Sequence, residues 1–190
     1  MQLDEAIKLR KSTRNFSSKK PDWRDIIEAI DAARFAPMSG NIYSLKFIIV
    51  DDKEKIQKLS ECCQQDFVGK VHYVVVACTE GKKTQNVFAE RADKYLKQQA
   101  GAAIENFLLK IEEAGLSTCW VGHMCENIIK RVLEIPKEVE VEAIFPIGYE
   151  SKAKGSQQKK KKKTELDNIL YFNKWKNKKM NKPSIVKMNA

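Results

Sequence analysis

Ala114-Gly115-Leu116-Ser117-Thr118-Cys119-Trp120-Val121-Gly122 divides this chain into a long helical part and a short strand-bearing part. Ahead of it, from Phe88 to Ala114, runs the longest helical pattern, with Tyr95, Ala102, Ala103, Asn106, Leu109 and Ala114 on its stripe. Gly115 suits the left-handed position that closes such a helix. Behind it, residues 126–133 read as a short helix that stops at Ile135-Pro136, and residues 141–147 read as a strand ending in Gly148-Tyr149. Two further strands are expected upstream, at 46–50 and 72–78, the second carrying the buried-type run Val74-Val75-Val76. Few strands stand among many helices, without strict strand–helix–strand alternation and without a Gly-x-Gly-x-x-Gly turn. The chain is therefore expected to be an α+β sandwich and not a classical dinucleotide fold.

The remaining segments fit the same layering. Leu3, Ile7 and the aliphatic part of Arg10 share helical spacing. Asp22 precedes the stripe Trp23, Ile26, Ile27, Ile30 and Ala33, with Asp25 in capping-box position, and Pro37 stops that helix. Asp51-Asp52 caps the helix after the first strand. The small residues Ala100, Gly101, Ala102 and Ala103 allow close approach of another backbone, either in the chain's own core or at the centre of a dimer. The Gly, Ser, Gln and Lys-rich stretch between Ser151 and Lys163 reads as a loop. The stretch from Leu166 to Trp175 is apolar enough to dock again, and 176–190 form a basic tail. One domain is expected over residues 1–175.

Charge separates these parts. Residues 1–151 carry 22 Lys and Arg against 23 Asp and Glu, whereas 152–190 carry 13 against 2. The net charge of +10 thus belongs to the C-terminal segment, which weakens a nucleic-acid reading based on overall basicity. A membrane helix needs ~20 consecutive apolar residues, and no run approaches that. The acidic start Met1-Gln2-Leu3-Asp4-Glu5 lacks the order of a signal peptide, so a soluble, cytoplasmic protein is expected. Five cysteines, Cys62, Cys63, Cys78, Cys119 and Cys125, are expected as free thiols, without metal-binding spacing.

Arg10-Lys11-Ser12-Thr13-Arg14 is the first candidate for chemistry. In an extended run, Arg10, Ser12 and Arg14 point one way and Lys11 and Thr13 the other. Two guanidinium forks around a hydroxyl make a clamp for one phosphate; the alternative is a solvated basic turn. A second segment is Ala36-Pro37-Met38-Ser39-Gly40-Asn41, ahead of the apolar run Phe47-Ile48-Ile49-Val50. No Ser/His/Asp order is evident. His123 reads as a loop histidine or a pocket donor, and Cys119 as a small buried residue.

In this order and at these separations, the basic segment, the Ala-Pro segment and the segment ending in Trp120-Val121-Gly122 resemble the FMN-dependent nitroreductase family. Its patterns run Arg-Arg-Ser-x-Arg-x-Phe, Ala-Pro-Ser-x-x-Asn-x-Gln-Pro-Trp and Gly-Leu-Gly-x-x-Trp-x-Gly, with Gly-Tyr closing the last strand. The resemblance spans residues 5–175. It implies a nitroreductase-like fold, a central mixed or antiparallel sheet flanked by helices in an intertwined homodimer; the basic tail 176–190 is expected either to fray or to wrap the partner subunit. It also implies FMN as cofactor and NAD(P)H as electron donor. A small-molecule acceptor (a nitro compound, a quinone or a flavin) would be reduced in a ping-pong cycle, with the chemistry carried by the cofactor and not by a catalytic side chain.

Carried over, the resemblance assigns Arg10, Ser12 and Arg14 to the phosphate and Lys11 to the pyrimidine end of the ring. A backbone N–H of Val121 or Gly122 falls to flavin N5. A basic pair one residue apart, best matched by Lys161 and Lys163, falls to the phosphate. Met38, Ser39 and Asn41 belong to the loop that reaches the neighbouring subunit's flavin. That loop departs from the pattern: Met38 stands where serine is usual, and Tyr43-Ser44-Leu45 replaces Gln-Pro-Trp. Two other readings stay open: a family member that uses FMN for dehalogenation or flavin breakdown, and a non-enzymatic protein whose Lys-rich tail binds nucleic acid.

Overall fold

Alternating apolar side chains on three strands supply two buried faces, and helices cover both. In the computed structural model, residues 1–151 and 163–180 are described; they fall in two units, 1–152 and 153–190, taken separately below. The first unit runs α1 (Leu3–Leu9), α2 (Trp23–Ala33), β1 (Leu45–Val50), α3 (Lys53–Cys63), β2 (Tyr73–Glu80), α4 (Lys82–Phe88), α5 (Ala92–Glu113), α6 (Glu126–Leu133) and β3 (Val139–Ile147). The sheet order is β1-β2-β3 with both pairings antiparallel, so the fold is the expected α+β class.

Period-two alternation sorts the strand residues cleanly. Leu45, Tyr73, Val75, Ala77, Ala143, Phe145 and Ile147 join Ile26, Ala29 and Ala33 of α2 and Ala103, Ile104 and Phe107 of α5 in one core. Val50, Val74, Val76, Cys78, Val141 and Ile144 face the other way, against Ile56, Leu59 and Cys63 of α3 and Ile129 of α6. A bulge at Ala77/Cys78 keeps this sorting intact: Ala77 pairs with Ala143 and Cys78 with Val141, so Glu142 is the extra residue. Its side chain bonds Lys97 Nζ at 2.9 Å instead of entering the sandwich.

Helix boundaries follow their caps. Asp22 accepts from the Arg24 N–H at 2.9 Å, and Asp52 from the Lys55 N–H at 2.8 Å, the side-chain oxygens satisfying amides that a helix start leaves bare. At the end of α5, Gly115 (φ +71°) donates to Glu112 O at 2.9 Å and Leu116 to Ile111 O at 3.0 Å. Those paired bonds are the left-handed glycine stop expected from the sequence.

Two expectations need correction. The helical pattern from Phe88 is not continuous: α4 ends there, Ala89 takes φ +45°, and α5 starts only at Ala92. A positive φ on a non-glycine residue breaks the ladder, and an alanine gives no sequence signal for it. The stripe of α2 is narrower than its apolar content: Ile26, Ala29 and Ala33 are buried, while Trp23 and Ile27 are nearly half exposed. On α1 only Ala6 is buried, and Leu3 and Ile7 face outward. The small residues of α5 divide: Ala100 and Ala103 enter the chain's own core, whereas a Cβ at Gly101 would meet nothing within 4 Å.

In the second unit a 3-10 turn covers Leu166–Asn168. Asn177 Nδ2 donates to Phe172 O at 2.8 Å and Lys179 O at 2.9 Å. The Tyr171 and Trp175 rings meet edge-on at 4.8 Å. Leu166, Ile169 and Trp175 are more than 60% exposed. The loop expected between Ser151 and Lys163 and the end of the basic tail fall mainly outside the described residues.

Candidate functional site

The far edge of β3 is where the first and third sequence segments meet. Ser117 and Gly148 exchange backbone bonds at 2.7 and 3.1 Å, and Val121 and Ile144 do so at 3.0 Å each. The basic segment then lies on the outside of this strip: Ser12 bridges Thr118 in parallel, and the Thr13 N–H donates to Thr118 O at 2.8 Å. Ser17 N–H donates to Tyr149 O at 2.8 Å, and Ser151 N–H to Asn15 O at 2.9 Å. Phe16 lies over Gly148 so closely that a Cβ there would come within 3.0 Å of its ring. An edge that would otherwise be bare is thereby covered by backbone.

This pairing sets the side chains of the basic segment. Thr13 is buried and Ser12 and Arg14 are exposed; Lys11, expected on Thr13's side, is exposed as well. Arg10 is partly buried, its Nε 3.5 Å from Glu105 Oε1 on α5. Lys11 Nζ lies 2.7 Å from Glu150 Oε2. Burial pushes the nearby Glu112 carboxyl above its ordinary range; Lys11 and Arg10 pull it back, and Glu150 pushes it up. Carboxylates thus pair with Arg10 and Lys11 at the foot of the segment, and Arg14 is exposed.

The Trp-x-Gly turn is fixed by aromatic packing. Trp120 meets Phe145 at 5.8 Å, Phe145 meets Phe107 at 5.3 Å, and Phe107 meets Phe47 at 5.8 Å. Cys119 and Val121 point into the opposite core. Of the two amides assigned to the ring, that of Val121 is committed to Ile144 O. The Gly122 N–H makes no hydrogen bond among the described residues, and Gly122 itself is exposed. His123 is exposed as well.

The second segment is fastened elsewhere. Gly40 (φ +59°) and Asn41 (φ +56°) make consecutive left-handed steps in the turn Ser39–Asn41. The Ser39 N–H donates to Gln99 Oε1 of α5 at 3.2 Å, and Gln99 Nε2 donates to Ser44 Oγ. One buried amide thus holds both ends of the loop. Met38 packs on the first core and Asn41 is exposed. Lys163 is exposed in the second unit, and Lys161 lies outside the described residues.

Sequence reading missed Gln99, Ser44, Thr13 and Thr118 as parts of this site. All four are buried polar residues, and two of them, Thr13 and Thr118, have hydroxyls without a hydrogen-bond partner among the described residues. A polar residue on an otherwise apolar helix face, as Gln99 is on α5, was the available signal.

The fold and this edge define an α+β protein in which a basic strand is stitched beside an exposed amide turn. The Nitroreductase family model matches residues 7–70 and 60–149. The chain is 26% identical to an iodotyrosine deiodinase of Thermotoga neapolitana, over 77% of this chain and 88% of that protein. A nitroreductase family protein of Clostridium difficile 630 superposes with TM-score 0.78 at 25% identity, covering 92% of this chain and all of the other. The NADPH:FMN oxidoreductase of Vibrio harveyi, solved with NAD+, superposes with TM-score 0.79 at 18% identity, over 94% and 79% of the two chains. The chain belongs to the nitroreductase family. No helix among the described residues is long and apolar enough to cross a membrane.

Proposed function

We propose that this protein is a homodimeric FMN-dependent oxidoreductase that takes reducing equivalents from NAD(P)H and delivers them to a small organic acceptor. The observation that carries the reading is the pairing of Thr13 with Thr118, which sets the exposed Ser12 and Arg14 on the same strip of backbone as the unbonded Gly122 N–H. The donor set fits FMN. Guanidinium groups and a hydroxyl match a terminal phosphate, and an exposed amide matches a ring nitrogen. Two buried threonine hydroxyls without partners lie in the backbone that joins them.

When bound, FMN supplies the hydride and electron transfer that no side chain here offers. The chain's own part is to bind and orient. Arg10, Ser12 and Arg14 hold the phosphate, with Arg10 steadied by Glu105. Lys11 stands at the polar edge of the ring, held by Glu150. Gly122 offers its N–H to a ring nitrogen, and its missing side chain lets the backbone come close. Gln99 fixes the loop of Met38, Ser39 and Asn41, which we assign to the flavin of the partner subunit. Lys163, with Lys161, is assigned to the phosphate. A cytoplasmic location goes with this reading.

The dimer is supported by apolar surface that a single chain leaves bare. A groove of about 560 Å³ between α2 and α5 is lined by Ile27, Glu28, Asp31, Ala32, Phe35 and Lys110. Phe35 is 68% exposed and Ile27 45%. Replacing both with Asp is expected to yield a monomer that no longer retains FMN, read by light scattering and cofactor content. A variant that stays dimeric would place the interface elsewhere.

Anaerobic addition of NADH and NADPH in turn should bleach the flavin absorbance with at least one of them, and a nitroaromatic or quinone should restore it. Failure of both donors would refute nicotinamide dependence. The Thermotoga neapolitana relative favours a second reading, reductive dehalogenation of an aromatic substrate. Release of iodide from iodotyrosine by the chemically reduced protein, faster than restoration by nitroaromatics, would select it.

A further inference from the structure

Five cysteines are present, and the fold treats them unequally. Cys63, Cys78 and Cys119 are buried in the core between the sheet and α3 and α6. Burial pushes the Cys63 thiol up to about 12 and the Cys78 thiol to about 11, which leaves both as inert apolar fillers at neutral pH. Cys62 is only partly covered, at the end of α3, and Cys125 is exposed, at the start of α6. These two meet: the Cys125 N–H donates to Cys62 O at 3.0 Å.

With an N···O distance of 3.0 Å and ordinary backbone bond lengths, this bond keeps the two Cα atoms within roughly 7 Å of each other. Disulfides span Cα separations of ~4.4–6.8 Å. The backbone therefore holds the two Cα atoms at a separation of the order a bridge needs. Their sulfurs also feel each other: burial raises the Cys62 thiol, and the charge of Cys125 raises it further.

We propose that Cys62 and Cys125 are a redox modification site, closing to an intramolecular disulfide when hydrogen peroxide reaches the protein. The accessible Cys125 sulfur attacks one peroxide oxygen, the O–O bond breaks, and one water leaves as a sulfenic acid forms. Cys62 sulfur then displaces that hydroxyl, the S–S bond forms, and a second water leaves. Each sulfur loses one electron, the peroxide gains two, and both thiol protons end in water. A dithiol reverses the reaction by exchange.

The bridge would tie the loop that follows Gly122 to α3, three residues from the exposed amide. The proposal itself needs neither flavin nor a particular acceptor, so its test is independent of the proposed function.

The purified protein is treated with hydrogen peroxide, quenched, denatured and titrated for thiols. The expected count falls from five to three, and returns to five with dithiothreitol. Peptide mapping should find residues 62 and 125 cross-linked within one chain. Cys62→Ser and Cys125→Ser should each keep the fold, shown by an unchanged circular dichroism spectrum, and form no intramolecular bridge. Cross-linking through Cys63, Cys78 or Cys119, a bridge between two chains, or an undiminished count of five would each overturn the proposal.

Discussion

Phe107→Ala is expected to cost ~3–5 kcal/mol of stability, the range for removing a fully buried aromatic ring, and to lower Tm by roughly 6–20 °C for a chain of this size. Phe107 is completely buried and touches rings on both sides, Phe47 of β1 and Phe145 of β3. The loss should extend beyond stability. Phe145 is also the ring on which Trp120 rests, and Trp120 precedes the backbone of Val121 and Gly122. A cavity beneath Phe145 lets that ring relax, and the amide turn moves with it. Urea unfolding measures the first effect, and FMN titration of the folded variant measures the second. Full stability after the substitution would mean that the α5 side of the sheet is not the core it is described to be.

The second large effect is expected at the basic segment. Arg10→Ala and Arg14→Ala should each weaken FMN binding by ~1.5–3 kcal/mol, the range for hydrogen bonds to a charged group, or roughly 10- to 150-fold. The two variants should differ in one respect. Arg10 is also tied to Glu105, so its removal leaves a carboxylate near the phosphate and adds repulsion. Arg14 has no such partner among the described residues and reports the phosphate contact alone. Because both arginines serve one phosphate, the double variant should lose less than the sum of the single losses. Isothermal titration of each apoprotein with FMN decides it; unchanged affinity in both single variants would move the clamp off this segment.

Local chemistry explains how much of the molecule was legible beforehand. The three strands and the end of α5 were readable because Val74-Val75-Val76, the apolar run 143–147 ending in Gly148, and Gly115 each have one dominant physical meaning. The break at Ala89 was hidden, because nothing in an alanine announces a positive φ. The outward faces of α1 and α2 were hidden for a related reason. Leu3, Ile7 and Ile27 follow the helical period, but periodicity records which side is apolar and not which molecule covers it.

At the candidate site, the cations and the glycine amide were readable as residue types. Their assembly was not. It rests on Thr13 bonding Thr118 across more than a hundred residues of sequence, and on Gln99 tying Ser39 to Ser44. Threonine and glutamine are common surface residues, and only their burial marks them. The commitment of the Val121 amide to Ile144 was equally invisible, since it depends on a strip of backbone lying against β3.

Identification of the bound cofactor tests the central claim most directly. The protein, purified without added flavin or reconstituted from its apo form, is heated, and the released molecule is separated by chromatography and quantified per chain. The proposal requires non-covalent FMN approaching one equivalent per chain, and its loss in the Arg10→Ala, Arg14→Ala double variant. A colourless protein that takes up no FMN on titration, or one that releases chiefly FAD, would contradict it.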